Sequence, residues 1–425
     1  MLVACGPSDD LDDTGEISAK VFGPEDINKL RKHWPLPQVP LDTTNAVADD
    51  PYAQHLGQYL FFDSRFSSTG DISCATCHDP TLGWSDGKRL GETLSPVGRH
   101  TMSLWNAGYV RWAFWDGRCD TLWCQALEPF ESDAEMGGNR MAIVHSVVAD
   151  ETLASAYEDI FGALPDVSDS ARFPADARPD LDPEHPLQVA WTAMRPDDRA
   201  AVNRVYSDLG KAIAAFERLI VARDAPFDRF AEAVLTDVDS EGLDAISESA
   251  ARGLKLFLGD AACHFCHEGP NFTNQEFANV GLGARPWMPE YDRGRIEGVV
   301  TVRDNLFNGT GLYSDDPETA AIKLDYLNID YEQEGQFKVP GLRNVTTSAP
   351  YFHGGHFDSL EEVVRHYGTP NVEEPEFGHR EDLLMEVHLE ASEIADLVAF
   401  LETLTSDVPL DPSLMEQPVS PFRTD

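Results

Sequence analysis

The feature that most constrains the fold of this 425-residue chain is a Cys-x-x-Cys-His motif that occurs twice. One copy spans residues 74–78 and the other spans residues 263–267. Two thiols at this spacing add to the vinyl groups of a porphyrin, and the next residue supplies an imidazole to the iron, so the motif is the attachment signature of c-type haem. A zinc ribbon would place four ligands around one ion, and a thioredoxin-like dithiol needs no His after its second Cys. We therefore expect two covalently bound haem c groups, with thioether and iron-ligand positions at Cys74, Cys77, His78, Cys263, Cys266 and His267.

Length, composition and charge restrict the class of protein further. The chain is long enough for two domains, and 42% hydrophobic and 10% aromatic residues are ordinary values for a globular protein. The sequence contains no run of 18 apolar residues, the pattern that would predict a membrane-spanning helix. The formal net charge of −42 repels nucleic acid and anionic lipid, which makes both poor partners. The same charge either steers a basic electron-donor protein or serves only solubility.

The segments around the two motifs resemble each other. A helix-like stretch at residues 57–61 precedes the first motif, and a similar stretch at residues 253–257 precedes the second. Pro80 and Pro270 follow the motifs, and each is succeeded by a loop that contains glycine and aromatic residues. This weak internal repeat indicates two related haem modules.

Other segments indicate where the modules begin and end. Apolar residues at helical spacing predict a helix over Asn203–Val221 that closes the first domain, and Pro165–Pro186 reads as a surface loop. A last helix is predicted to start at Ser392, a good N-cap. Because strand signals are scarce, we predict a mainly α fold with a leader at 1–20, one haem domain at 21–225 and another at 226–425.

Three of the seven cysteines lie outside the haem motifs. Cys5 closes Leu2-Val3-Ala4-Cys5, which resembles a bacterial lipobox within a flexible leader rich in Asp, Ser and Gly, although the basic and apolar regions that normally precede a lipobox are missing. A lipid on Cys5 would anchor the protein to a membrane without a spanning helix. Cys119 and Cys124 are predicted to be packed free thiols, because their spacing requires a local bend before a disulfide can form.

Three further strings carry a resemblance to a known family. They are Phe114-Trp115-Asp116-Gly117-Arg118, the segment Phe337–Val345 (FKVPGLRNV) and the segment Ala349–Gly355 (APYFHGG). With the two haem motifs, they make residues 51–404 similar to the bacterial di-haem cytochrome c peroxidase and MauG family. The resemblance implies two cytochrome-c-like haem domains packed around an inter-haem interface. It also implies a peroxide-reacting haem in the first domain and an electron-transfer haem in the second.

The resemblance also implies roles for four residues of the first domain. Trp115 matches the tryptophan that lies between the two haems and carries electrons or holes across the gap. Gln125 and Pro129 match a glutamine and a proline that line the distal pocket. Glu135 matches the distal acid–base glutamate, a role that suits peroxide cleavage because a proton must move from the inner to the outer oxygen.

Axial ligands divide this family. Reductively activated peroxidases cap the first haem with a His whose position is Glu92 here, and residues 85–99 contain no His. The first haem is therefore predicted to be open, with His100 and Met102 as the only nearby spare ligands. At the second haem, the position that carries Met in the peroxidases is Tyr367, which is the ligand type found in MauG. A tyrosinate favours higher oxidation states of iron, whereas Met raises the potential.

The family also carries a calcium ion between its domains, held by an Asn side chain and by backbone carbonyls. The carbonyl positions match Ser348 and Pro350, which makes a calcium ion a further expectation. The Asn position is His100, a poor ligand for a hard cation that prefers oxygen. The expected calcium site is therefore incomplete.

Three functions follow from these patterns. The first is a di-haem peroxidase that reduces hydrogen peroxide to water with electrons from a small cytochrome or cupredoxin. The second is a MauG-like enzyme that uses peroxide to oxidise Trp or Tyr residues of a partner protein. The third is an electron carrier without catalysis, against which the spacing of Gln125 and Glu135 argues. The expected location is the periplasm or cell envelope, with a lipid anchor at Cys5 as an option.

Overall fold

The computed structural model describes residues 22–236, 241–368, 375 and 377–423. The leader at 1–20 and Cys5 lie outside this part of the chain. The described residues are mainly helical, as expected. The helices are α1 Pro24–His33, α2 Pro51–Phe61, α3 Cys74–Cys77, α4 Leu122–Glu131, α5 Arg140–Ala149, α6 Glu151–Phe161, α7 Pro186–Ala193, α8 Pro196–Glu217, α9 Pro226–Thr236, α10 Glu248–Leu258, α11 Arg295–Asp304, α12 Pro317–Leu324, α13 Leu360–Tyr367 and α14 Ala391–Glu402. Two short strands, β1 Phe277–Ala278 and β2 Phe337–Lys338, pair antiparallel.

Helices α2 and α8 form the centre of the first module. The carboxylate of Asp50 caps α2 by accepting two backbone N–H groups of its first turn, and Pro51 occupies the first helical position. The two helices cross at Gly57, where a Cβ atom would overlap the backbone carbonyl of Ala212. A residue without a side chain is therefore required at this crossing. Buried aromatic rings, with Phe216 among them, fill the core around it.

Helices α10 and α14 repeat this arrangement in the second module. The hydroxyl of Ser247 caps α10, and a Cβ atom at Gly253 would overlap the backbone carbonyl of Asp396 on α14. Helix α10 ends before the second haem motif as α2 ends before the first. The internal repeat expected from the sequence is therefore present in the three-dimensional structure.

Two asparagines with left-handed backbones extend the repeat beyond the helices. The N–H of Asn106 (φ 60°) donates to the carbonyl of Ile220 at 2.9 Å, and the N–H of Asn344 (φ 57°) donates to that of Leu404 at 3.1 Å. The side-chain oxygen of each asparagine accepts a second hydrogen bond of 2.8 Å, from the backbone N–H of Ala222 to Asn106 and from that of Ser406 to Asn344. Each asparagine thus joins the loop after a haem motif to the end of that module's last helix.

The ends of the chain are exchanged between the modules. Leu30 on α1 is fully buried in the core of the second module, together with Phe227 and Phe400. Phe422, near the other end of the chain, packs against the core of the first module. Phe22 and Ile27 also belong to the core of the second module, although the sequence predicts residues 21–225 as the first domain. Sequence periodicity carries no information on such long-range packing.

A half-buried arginine, Arg99, joins the modules at their interface. Arg99 contacts Asp116 at 2.6 Å in the first module and Asp292 at 2.7 Å in the second. Arg295, on α11 of the second module, donates to the carbonyls of Asp116 and Gly117 at 3.0 and 2.9 Å. Because paired buried charges lose much of their stabilisation when one partner is removed, these contacts fix how the modules meet.

Two predicted helix boundaries differ from the structure. Helix α8 begins at Pro196, before the predicted start at Asn203, since Pro is favoured at the first position of a helix. Helix α14 begins at Ala391, and the backbone of Glu390 is capped by the carboxylate of Glu393 at 2.8 Å, so Ser392 is not the N-cap. The segment between α6 and α7 is a loop, as expected. In the described part of the chain, no helix is long and apolar enough to cross a membrane.

The prediction of free thiols at Cys119 and Cys124 is wrong, because the two residues form a disulfide with a Cα–Cα distance of 5.7 Å. Cys119 pairs with Ala113 in an isolated antiparallel bridge, and the chain then turns at Thr121, the N-cap of α4. This turn brings Cys124, in the first helical turn, back against Cys119. The required bend is therefore supplied by the start of a helix.

Candidate haem sites and the space between them

A cavity of about 660 Å³ lies between the two modules and is lined by residues from both haem motifs. Cys77 and His78 line it from the first module, and Cys263 and His267 line it from the second. A smaller cavity of about 110 Å³ adjoins the second motif and is also lined by Cys266. The motif cysteines are free thiols, so all four remain available for thioether bonds.

The two motif histidines are held in the same way. Nδ1 of His78 lies 3.1 Å from the carbonyl of Trp84, and Nδ1 of His267 lies 2.9 Å from that of Phe272. Trp84 (φ 59°) and Phe272 (φ 52°) both have left-handed backbones, which turn their carbonyls towards the rings. A hydrogen bond at Nδ1 leaves Nε2 as the nitrogen for iron. Burial lowers the pKa of both rings, that of His267 to about 4, which keeps them neutral as metal ligands.

The residues expected on the distal side of the first haem lie on α4 and in the turn that follows it. Gln125 and Pro129 on α4, with Glu135 after it, line the same cavity as His78. The side-chain oxygen of Gln125 is buried without a hydrogen-bond partner among the described residues. The backbone N–H of Glu135 donates to the carbonyl of Ser132 at 3.0 Å. Its carboxylate contributes to raising the pKa of the Cys77 thiol, behind burial and Asp86, which places its charge near the motif.

Residue 92, the position of the capping His in some relatives, is not among the residues that line this cavity. Glu92, at the position of the capping His, is exposed, and its backbone carbonyl accepts a bond from Lys88 at 3.1 Å. His100 is buried, with Nδ1 at 2.7 Å from the backbone carbonyl of Lys88. Met102 lines the cavity. The ring of His100 is thus engaged by the protein backbone.

Trp115 lines both cavities and is held by backbone contacts on two sides. Its indole N–H donates to the carbonyl of His100 at 2.8 Å, and its own carbonyl accepts the N–H of Lys338 at 2.8 Å. His353 is the counterpart of Trp115 in the repeat. Each of the two follows a phenylalanine with a left-handed backbone, Phe114 (φ 66°) and Phe352 (φ 68°). The two rings lie 6.4 Å apart.

Tyr367 lies at the end of α13 and lines both cavities beside His267. Burial raises the pKa of its hydroxyl, whereas the positive charge of Arg380 acts in the opposite direction. Its ring lies 6.1 Å from that of Phe352. Tyr367 therefore lies in the same cavities as His267, and its role as an iron ligand stays a prediction.

Several buried polar atoms of the cavity wall fit a haem group. Nε1 of Trp105 has no hydrogen-bond partner among the described residues, and it would serve as a donor to a carboxylate. Lys338 lines both cavities, and burial lowers its pKa to about 8, a shift that a neighbouring anion would oppose. Haem carries two propionates as well as a large apolar surface. The donor set, the free thiols and the neutral imidazoles therefore fit two haem c groups.

A calcium ion does not fit the expected site. Ser348 and Pro350 line the cavity, as the resemblance implied. The imidazole of His100 stands against the backbone carbonyls of Lys88 and Ser348. The ring supplies no oxygen where the expected Asn would, so the set of oxygen ligands that a calcium ion needs is incomplete here.

Sequence reasoning missed one buried acid near the first motif. Glu217 on α8 is only 3% exposed, and one of its carboxyl oxygens has no partner among the described residues. Burial raises its pKa to about 8, and its charge acts on Cys74. Ile220 and Leu404 occupy equivalent positions in the two modules, because each accepts the backbone N–H of its module's asparagine. Glu217 lies three residues before Ile220, so its counterpart in the second module is Leu401. An alignment of the two modules on Asn106 and Asn344 would have shown that Glu217 stands where the second module has Leu401.

The fold and this site define a c-type di-haem oxidoreductase built from two cytochrome-like modules. A family model described as di-haem cytochrome c peroxidase matches residues 51–234. The methylamine utilization protein MauG of Methylorubrum extorquens is 30% identical over 386 residues, which cover 90% of this chain and 86% of that protein. Cytochrome-c peroxidase IdrP1 of Pseudomonas sp. strain SCT is 28% identical over 397 residues, 89% of this chain and 88% of that protein.

The fold is also similar to that of a MauG-like protein associated with microbial copper homeostasis. The TM-score is 0.61 at 23% identity, and the match covers 91% of this chain and 97% of the other. The chain belongs to the di-haem cytochrome c peroxidase and MauG family, and it is an oxidoreductase that acts on peroxide.

Proposed function

We propose that this protein reduces hydrogen peroxide to water at the first haem site, with electrons that enter from an external donor protein through the second site. The observation that carries the proposal is the shared cavity of His78, Gln125 and Glu135, with Trp115 at the junction towards Tyr367. An electron carrier without catalysis has no need of an acid and an amide opposite an iron ligand. The arrangement favours a peroxide site.

The distal residues supply proton transfer. When bound at His78, haem c supplies an iron that binds hydrogen peroxide and takes part in breaking its O–O bond. Glu135 accepts a proton from the oxygen nearer the iron and returns it to the outer oxygen, which leaves as water. The amide of Gln125 orients the peroxide, and Pro129 forms part of the apolar wall that excludes water. Two electrons from the donor and two protons from solvent complete the conversion to water.

The first site is proposed to be open in the resting protein. Glu92 is exposed, and residues 85–99 contain no His, so the capping loop offers no imidazole as a sixth ligand. Peroxide therefore reacts without prior reduction. At the second site, His267 and Tyr367 would hold the haem iron, and the tyrosine oxygen would be a hard donor that stabilises oxidised iron.

The proposed location is the periplasm or cell envelope. A disulfide between Cys119 and Cys124 suits an oxidising compartment, as does covalent haem attachment. A lipid on Cys5 would anchor the protein there. The net charge of −42 favours a donor with a basic surface, such as a small cytochrome or cupredoxin, and disfavours nucleic acid.

The test uses purified holoprotein, hydrogen peroxide and a reduced c-type cytochrome. The as-isolated protein should show a high-spin ferric signal in its paramagnetic resonance spectrum, and peroxide alone should remove this signal. Cytochrome oxidation should then follow peroxide consumption at two cytochromes per peroxide. Two low-spin haems and no response to peroxide would contradict the proposal.

A second function is supported by Tyr367 and by the 30% identity to MauG. In that case peroxide is reduced with electrons taken from a Trp or Tyr residue of a partner protein, which becomes oxidised while peroxide forms water. The two functions differ in the reductant. Proteins encoded or expressed with this chain would be analysed by mass spectrometry before and after addition of peroxide. The second function predicts that one of them loses hydrogen, and that donor cytochrome is oxidised only slowly.

A further inference from the structure

We infer that the imidazole of His100 takes the place of an inter-module calcium ion in this chain, so that the two haem modules are joined there without a metal. The family places a calcium ion between its domains, and two of its expected carbonyl ligands match Ser348 and Pro350. The inference concerns how the modules are joined, and it does not depend on the peroxide chemistry proposed above.

The surroundings of the His100 ring carry the inference. The side chain is 5% exposed, and Nδ1 donates to the carbonyl of Lys88 in the first module at 2.7 Å. The carbonyl of Ser348, from the second module, faces the same ring. The carboxylate of Asp86 is close enough to act on it electrostatically. An imidazole therefore stands among oxygens of both modules, which is the environment that a bound cation would otherwise occupy.

Donor and acceptor chemistry explains why the ring and the ion exclude each other. A calcium ion requires six to eight oxygen ligands at 2.3–2.6 Å, and an imidazole whose Nδ1–H donates to Lys88 supplies no oxygen in place of the expected asparagine. Burial lowers the pKa of His100, while the Lys88 carbonyl, Asp86 and the Ser348 carbonyl raise it. The neutral ring carries one N–H, which is enough for the bond from Nδ1 to Lys88, so that bond does not require protonation.

The backbone of the same residue positions the inter-haem tryptophan. The N–H of His100 donates to the carbonyl of His353 in the second module at 2.7 Å, and its carbonyl accepts the indole N–H of Trp115 at 2.8 Å. The bond from His100 to His353 has a counterpart in the repeat, in which the N–H of Lys338 donates to the carbonyl of Trp115 at 2.8 Å. His100 is therefore a positioning residue at the junction of both modules and Trp115.

Calcium content and thermal unfolding of the holoprotein test the inference. After dialysis against a chelator, the wild-type protein should hold less than a tenth of a calcium ion per chain. Its Tm should not change between chelator and millimolar calcium chloride. The variant His100→Asn restores an amide oxygen, and calcium should raise its Tm by about 3 °C because an ion that binds only the folded state stabilises it. His145→Asn, a half-buried histidine on α5, is the matched control and should behave as the wild type.

Two results would overturn the inference. One is a wild-type protein that retains about one calcium ion per chain or whose high-spin resonance signal changes when calcium is removed. The other is a folded His100→Asn variant whose Tm, like that of the wild type, does not change with calcium. The ring of His100 would then not occupy a position at which a cation can bind. If His100→Asn does not accumulate, the wild-type calcium titration decides alone: tight binding refutes the inference, and no binding sustains it.

Discussion

The indole nitrogen of Trp115 donates a hydrogen bond of 2.8 Å to the backbone carbonyl of His100. This bond fixes the orientation of the indole where the cavities of the two modules meet, and the indole is 8% exposed. A ring that is both held and shielded from water keeps the same geometry in every molecule. The contact is therefore suited to a fixed electron path between two haem sites.

Trp115→Phe should break this path while leaving both haems attached. We expect peroxide-dependent oxidation of donor cytochrome to fall at least about tenfold, because phenylalanine is harder to oxidise and lacks the N–H. Rapid-mixing absorption spectroscopy at the two haems measures the effect. Trp191→Phe, in the core of the first module, is the control. An unchanged rate in Trp115→Phe would show that electrons cross by another route.

Glu135→Gln should slow the reaction with peroxide and leave haem content unchanged. Loss of a positioned acid–base group costs about 10²–10⁴ in rate. The bimolecular rate constant for loss of the high-spin signal after mixing with peroxide is the measurement. Glu151→Gln, an exposed acid at the start of α6, should match the wild type. A rate within twofold of wild type in Glu135→Gln would remove this residue from the mechanism.

Glu217→Gln should stabilise the protein, and the gain should grow with pH. Burial raises the pKa of Glu217 from 4.5 to about 8, so above pH 4.5 the unfolded chain releases a proton that the folded chain retains. Stability is therefore lost progressively as the pH rises from 4.5 to 8. We expect a gain of about 1–3 kcal/mol at pH 7, after the cost of burying an unpaired amide is subtracted.

Thermal or denaturant unfolding of the Glu217→Gln holoprotein at pH 5 and at pH 8 measures this gain. The difference in Tm between variant and wild type should be small at pH 5 and larger at pH 8. The exposed control Glu151→Gln should show no such dependence on pH. A gain that is equal at both pH values would mean that Glu217 is not a buried neutral acid.

The double variant Cys119→Ser/Cys124→Ser should be less stable by about 2 kcal/mol, the cost expected for opening a loop this short. The disulfide joins the string that contains Trp115 to the first turn of α4, which carries Gln125. Its loss should therefore also slow the peroxide reaction more than it changes haem content. Thiol titration under denaturing conditions, before and after reduction, tests the bond itself. Free thiols at both positions in the unreduced protein would contradict the structure.

Local patterns determined much of this protein from the sequence alone. The two haem motifs, the repeated Gly57 and Gly253 segments and the mainly helical class could be predicted because they depend on covalent spacing and helical periodicity. The roles of Gln125, Glu135 and Tyr367 are implied by the family resemblance, which short, specific strings carry, and they stay predictions. The motifs, the glycine segments and the helical class each concern residues that are close in sequence or that fall on one element.

Only the tertiary structure decided the features that join distant segments. The disulfide of Cys119 depends on where α4 turns back, and the packing of Leu30 in the second module depends on a long-range path of the chain. The burial of Glu217 and the place of the His100 ring between two modules depend on neighbours far away in sequence. Burial and electrostatic environment are properties of packed segments, so no local pattern encodes them.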